Sequence, residues 1–203
     1  MNRTDIAQEM ILDGVIVRDP YQLVMSAQDL QALWADLSRE AELAQALRDG
    51  CGVLAPLTLM QAQKEAFLVL PGRKGVIVQP GDEPESFAAE LERLDLIAVD
   101  FPLFTDGRGH SLARTLRDHY GFKGELRAQG DVFEDTVHYL ARCGFNAFVP
   151  RSGVPPVQLL QGFHTFSESY QAAVDCPNPL FLRRILAQRE EMPAPAVFTG
   201  NTP

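Results

Sequence analysis

The sequence predicts an α/β protein assembled from parallel βα units, and three observations carry that expectation. From Val53 onward, short apolar runs alternate with segments of helical spacing. The connections between them are short, which is the signature of parallel βα units. The third observation is the strand Glu125-Leu126-Arg127-Ala128-Gln129, whose alternation puts Glu125, Arg127 and Gln129 on one face and Leu126 and Ala128 on the other. A central strand of a doubly wound sheet is buried on both faces and reads as nearly continuous apolar sequence. A polar inner face under an apolar, helix-covered outer face suits a βα-barrel. About five strands are legible, too few for a complete eight-stranded barrel. The expectation is therefore an incomplete βα-barrel, with an open doubly wound parallel sheet as the alternative.

The first part, residues 1–52, reads as an N-terminal extension packed on the core. It offers one β-like run, Gly14 to Val17, then helical spacing from Ala27 to Arg48, with Leu30, Leu33, Trp34, Leu37, Leu43 and Leu47 in phase and Gly50 and Gly52 as the stop. Residues 53–190 form the expected βα domain. Val53 and Leu54 begin it, and Thr58 is placed to cap a helix running to Leu70. The strand Gly75 to Val78, a helix from Glu85 to Leu94 and the strand Leu96 to Phe101 follow. A helix from His110 to Tyr120 leads to the strand Glu125 to Gln129. The next helix, Val132 to Cys143, is stopped by Gly144 and leads to the strand Ala147 to Val149. Beyond these come a helix Val157 to Phe163, an extended piece near Ser167 to Ala172, and a helix Leu180 to Glu190. The Pro-rich residues 191–203 read as a frayed tail.

Composition narrows the function. The 203 residues carry 18 Lys and Arg against 27 Asp and Glu, a formal charge of −9, which excludes nucleic-acid binding driven by general basicity. At 46% hydrophobic and 22% charged residues the chain is an ordinary globular one. Cys51, Cys143 and Cys176 are dispersed and odd in number, which points to a reducing compartment. The N-terminus lacks the apolar core of a signal peptide, and no run approaches the roughly 18 apolar residues of a membrane span. A cytoplasmic protein is expected.

The densest polar constellation runs from Asp100 through Asp106, Gly107, Arg108, Gly109 and His110 to Ser111. It starts at the C-terminal end of a strand and enters a helix, where parallel α/β folds place ligands and free N–H groups favour an anion. Arg108 and Arg114 add positive charge; a plain turn at Asp106-Gly107 with solvated arginines is the alternative. Asp131 stands at the next strand-to-helix connection and is equally suited to a helix cap. Arg127, if its strand is interior, needs a carboxylate such as Glu125, Asp100 or Asp131, or a bound anion, because an unpaired buried guanidinium is very costly. Arg151 follows the next strand. Arg108, Arg127 and Arg151 are thus expected to converge on one mouth, where planar guanidinium groups suit an oxyanion. Other chemistries lack support. No G-x-G-x-x-G, P-loop, H-E-x-x-H or G-x-S-x-G string is present, no metal site is expected, and Cys143 reads as a small buried residue at a helix end.

The run Leu96 to Pro102, then Phe104-Thr-Asp-Gly-Arg-Gly109, Ala113-Arg114, Tyr120-Gly121, Gly124 to Ala128, Gly130-Asp131-Val132 and Arg142-Cys-Gly-Phe145 resembles a bacterial family of uncharacterised proteins. That family is commonly labelled "probable oxidoreductase involved in sulfite reduction". The resemblance is dense from Leu94 to Phe148 and looser at Gly52 to Gln79 and Phe166 to Tyr170; His110 stands where the family usually has Tyr. Matched position by position, it picks out Asp100, Asp106, Arg108, Arg114, Arg127, Asp131 and Cys143. It implies an accessory protein of assimilatory sulfite reduction with an Arg-lined pocket for a small oxyanion or acidic metabolite. The alternative is a non-catalytic docking partner of a sulfite or nitrite reductase hemoprotein or electron carrier. An oxidoreductase using flavin or nicotinamide through an unfamiliar site is a third reading, and no cofactor is specified by any motif.

Overall fold

A computed structural model describes residues 8–191. The expected tail, apart from Glu191, lies outside the described residues. The chain opens on a hairpin, β1 (Glu9–Leu12) and β2 (Val15–Arg18), whose two-residue turn places Asp13 at φ 50° and Gly14 at φ 80°. Asp-Gly accepts positive φ at both positions, as a tight hairpin with the native strand twist requires. The expected single run at Gly14 to Val17 is thus the second half of a hairpin. β3 (Tyr21–Leu23) follows after only Asp19 and Pro20.

Five further strands complete an eight-stranded sheet: β4 (Gly52–Pro56), β5 (Arg73–Val78), β6 (Leu96–Phe101), β7 (Glu125–Gly130) and β8 (Ala147–Phe148). The order is β2-β1-β8-β7-β6-β5-β4-β3; β3 to β8 are parallel neighbours in chain order, and the hairpin adds to β8 antiparallel. Consecutive parallel strands with right-handed crossovers carry their helices on one face. β2 and β3 are the two edges of this sheet, yet two residues join them. Three Cα steps reach at most about 11 Å, whereas seven strand spacings in a flat sheet amount to about 33 Å. The sheet therefore curls into a half-barrel, an incomplete βα-barrel with three more strands than the sequence displays.

The outer face packs the main core. Ile11, Val53, Ala55, Val76, Val78, Ile97, Val99, Leu126, Ala128 and Phe148 are all buried there against the helices. The inner face carries a smaller apolar cluster of Tyr21, Leu54, Leu96 and Ala98. Register aligns Leu54, Gly75, Leu96 and Glu125 in one inner row, and Ala98, Arg127 and Ala147 in the next. Gly75 sits between two leucines, and a Cβ there would lie 2.9 Å from Leu96 Cδ2.

The helices differ from expectation in their breaks. The expected Ala27 to Arg48 segment is two helices, α1 (Ala27–Arg39) and α2 (Ala41–Arg48), parted at Glu40, whose backbone is extended. Ser26 Oγ caps α1 by accepting the Asp29 N–H at 3.1 Å, and Ser38 Oγ donates back to the Trp34 carbonyl, a bond that weakens helix continuation. The helix expected from Thr58 is likewise divided into α3 (Leu57–Ala62) and α4 (Lys64–Leu68), and Pro84–Arg93 is a 3₁₀ segment. α5 (Arg108–Asp118), α6 (Glu134–Arg142), α7 (Pro156–Phe163) and α8 (Leu180–Glu191) stand close to their expected places. Residues 167–172 form bends in place of the expected extended piece. The first 52 residues supply both edge strands of the sheet. Among the described residues no helix is long and apolar enough to cross a membrane.

Two glycines separate backbone strain from steric contact. Gly121 (φ +64°) faces open space, whereas a Cβ at Gly130 (φ +95°) would collide with the Phe101 carbonyl oxygen. Gly121→Ala is expected to cost about 1 kcal/mol, the left-handed penalty alone. Gly130→Ala should cost about 3 kcal/mol or more because it adds the collision. Urea unfolding of the two variants reads the difference, and equal losses would contradict this assignment.

Candidate functional site

The C-terminal ends of β6 and β7 set the site. Asp100 faces Gln129 across the ladder, and Phe101 faces Gly130. Asp100 Oδ2 accepts a long bond of 3.4 Å from Gln79 Nε2, and the Phe101 carbonyl accepts the Asp131 N–H at 2.7 Å. The loop after β6 then projects outward, leaving Leu103 63% and Phe104 54% exposed. That projection is fixed at its tip. The Phe104 N–H donates to Asp131 Oδ2 at 3.2 Å, and its ring meets the edge of Phe133 at 5.5 Å.

Two ion pairs flank the exposed apolar pair. Arg108 donates to Asp106 through Nε at 3.0 Å and Nη2 at 2.7 Å, and the Arg108 backbone N–H adds a third bond at 3.1 Å. These bonds, the side-chain ones foremost, pull the Asp106 carboxyl down to about 2. The first turn of α5 thus already holds an anion, supplied by the chain itself. On the other side Arg151 Nη1 donates to Asp131 Oδ1 at 3.2 Å while its guanidinium lies 4.6 Å over the Phe133 ring. His110, packed 5.3 Å from Phe101 and 5.1 Å from Tyr139, has its imidazole pushed toward the neutral form by burial.

Arg127 lies elsewhere. Only 1% exposed, it points into the half-barrel, where Nη1 and Nη2 donate to the two oxygens of Asp19 at 2.8 and 3.0 Å and Nε donates to Glu125 Oε1 at 2.9 Å. Its guanidinium and that of Arg73 lie 5.2 and 5.1 Å from the Tyr21 ring centroid. Burial foremost pushes the Tyr21 hydroxyl well above its ordinary pKa. Of the carboxylates that the sequence offers Arg127, Glu125 is a partner. Asp100 and Asp131 are engaged with Gln79 and Arg151, and Asp19, 108 positions away, takes their place.

Arg114 is also apart from the mouth. It pairs with Asp118 one turn along α5 at 3.0 Å and lines an outer cavity of about 720 Å³ with Arg117, Lys123, Phe145 and Val174. Asp100, Asp106, Arg108, Asp131 and Arg151 therefore share the C-terminal rim, while Arg127 is interior and Arg114 is on the helical side. Arg117, also on α5, is a half-buried clasp. It donates to the carbonyls of Gly144 (2.9 Å), Phe122 (2.7 Å) and Gly124 (2.9 Å) and to Asn146 Oδ1 (3.1 Å), tying the end of α5 to the approaches of β7 and β8. Cys143 is buried at the end of α6, and burial raises its thiol pKa, which disfavours a reactive thiolate. Among the described residues no group of His, Cys, Asp and Glu is arranged to hold a metal ion.

A family model described as "Bacterial protein of unknown function (DUF934)" matches residues 75–181, just over half of the chain and all of the rim. No curated protein matches the chain.

The contrast between interior and rim arginines is measurable. Arg127→Met leaves Asp19 and Glu125 without their shared cation and should cost about 3–5 kcal/mol in denaturant unfolding. Arg108→Ala, at an exposed and solvent-screened pair, should cost far less; similar losses for both would refute the distinction. In carboxyl-resolved NMR titrations, Asp106 is expected to titrate near 2. Any stability that its depressed pKa confers is present above the unfolded-state pKa and is lost as pH falls toward about 2. Arg108→Ala should move that midpoint back toward the ordinary value of about 3.9.

Proposed function

The chain belongs to the DUF934 family of bacterial proteins of unknown function, and from that premise we propose that it is a non-catalytic accessory protein of assimilatory sulfite reduction. In this reading its C-terminal rim docks on a sulfite or nitrite reductase hemoprotein. The carrying observation is the exposure of Leu103 and Phe104 at a loop tip pinned by Asp131 and Phe133. A rigid apolar projection ringed by charged pairs matches the anatomy of a protein interface, with an aromatic anchor inside a polar rim. The resemblance of the segment Leu94 to Phe148 to proteins linked with sulfite reduction supports the choice of partner. The charge of −9 supports steering toward a basic partner surface.

A small oxyanion is the less favoured occupant of this rim. Arg108 and Arg151 each hold a carboxylate already, so an anion must displace Asp106 or Asp131 to reach them. A projecting tip also offers a flat partner more contact than it offers a small ion.

Binding of the purified chain to the purified reductase hemoprotein, read by interferometry at low and high salt, tests the reading. Wild type should bind, more weakly as salt rises. Phe104→Asp should weaken binding by about 30-fold, the scale of one interface hot spot. Val69→Asp, a change at an equally exposed residue on the far side of the fold, should leave it unaltered. Absence of binding at every salt concentration, or indifference to Phe104→Asp, would remove this reading.

A further inference from the structure

The last helix, α8, is fastened to the body of the protein only at its start. The Leu180 N–H donates to the Tyr170 carbonyl at 3.0 Å, and Arg183 holds Glu168 through Nη1 at 2.6 Å and the Ser169 carbonyl through Nη2 at 2.8 Å. Beyond that turn the helix projects. From Arg184 to Gln188 every residue is exposed, Ile185 by 45% and Leu186 by 41%. Phe181, 58% exposed, stands one turn before Ile185 on the same stripe, and Gln188 stands one turn after it. Positions 184 and 191, two turns apart, lie along one flank of that stripe.

The charges of α8 run against its own dipole. A helix favours acidic residues in its first turn and basic ones in its last. In α8 the first turn has no acidic residue and contains Arg183, with Arg184 directly after it, while the last turn carries Glu190 and Glu191. Arg184 engages no carboxylate among the described residues. A helix of 12 residues is marginal in water even with favourable charges, unless tertiary packing supports it. An exposed apolar stripe on a helix charged in the adverse sense therefore calls for a covering surface. That surface must be apolar in the middle, acidic beside the start of α8 and basic beside its end. A second α8 laid antiparallel meets all three requirements.

We propose that α8 is a self-association surface through which two copies of this chain pair, antiparallel and about a two-fold axis near Ala187 and Gln188. Ile185 and Phe181 supply the apolar contact, and Arg184 of each copy faces Glu191 of the partner subunit. The two helix dipoles oppose one another, so each basic start lies beside the negative end of its neighbour. The arrangement is isologous and closes at two copies. A contact built on two short helices falls near or below the ~1,200 Å² floor of stable interfaces, so the dimer is weak and reversible. It shares no residue with the rim and is independent of the docking assigned there.

Sedimentation equilibrium of the full chain over about 10 to 500 μM tests the pairing. The mass is expected to rise from monomer to dimer across that range. Ile185→Asp should weaken the dimer about tenfold or more. Arg184→Glu or Glu191→Arg alone should weaken it about threefold. The two combined restore an Arg–Glu pair in reversed order and should return the dimer to within about twofold of wild type. Phe104→Asp should leave it unchanged. Should Ile185→Asp lose its folded circular dichroism, the exchange of the two surface charges decides. A monomer at every concentration, with α8 left to a different partner, overturns the proposal. So does a dimer indifferent to a folded Ile185→Asp, a combined charge variant no better than the single ones, or a dimer dissociated by Phe104→Asp.

Discussion

Everything in this fold depends on one closure: the two edges of an eight-stranded sheet are joined by Asp19 and Pro20. Asp19 does more than span the gap. Its carboxylate receives Arg127 in a bidentate pair, and Arg127 in turn holds Glu125 two residues back on the same strand. Such a buried cluster adds little net stability over apolar packing of similar volume, since desolvation offsets much of the attraction. What it contributes is geometric. A guanidinium in the middle of β7 reaches the link between β2 and β3 only at one curvature and one register, so the cluster sets how far the sheet curls. Tyr21, flanked by Arg73 and Arg127, fills the interior that the curl creates.

The curl decides what the strand ends can do. Chain-order winding keeps the helices outside and delivers the loops after β6, β7 and β8 to one rim, where Asp131 alone engages the loop of Phe104, the end of β6 and Arg151. The rim is electrostatically self-contained, with its cations held by neighbouring carboxylates and the start of α5 served by Asp106. Its unspent surface is apolar. A small charged reactant finds few free partners there, whereas a protein surface finds a stiff projecting aromatic.

Local chemistry was legible in the sequence and long-range pairing was not. The one-sided polarity of Glu125 to Gln129 announced a polar interior, and the cost of burying Arg127 announced a carboxylate partner, because both follow from a single strand. Asp19 could not be named, since it meets Arg127 across 108 positions with no periodic signal between them. The Asp-Gly turn between Met10-Ile-Leu and Val15-Ile-Val was a readable hairpin signal that the run at Gly14 to Val17 obscured. The breaks at Glu40 and Gln63 and the 3₁₀ form of Pro84–Arg93 answer to tertiary packing, which helical periodicity does not encode. Arg114 and Arg108 share a helix, yet they lie six residues apart along its axis. That distance separates the rim from the outer cavity, and proximity in sequence concealed it.

The antiparallel join of β1 to β8 pairs Ile11 with Phe148, and this has a consequence for how the chain is made. During synthesis the N-terminal hairpin can form at once, since its turn is local, but the other edge of its inner strand has no partner until Phe148, 137 positions beyond Ile11, has left the ribosome. Contacts so distant in sequence slow folding, because the loop they close must be ordered before they reward it. The nascent chain therefore carries an open strand edge until β8 is made, and β8, the strand that seals it, is only two residues long.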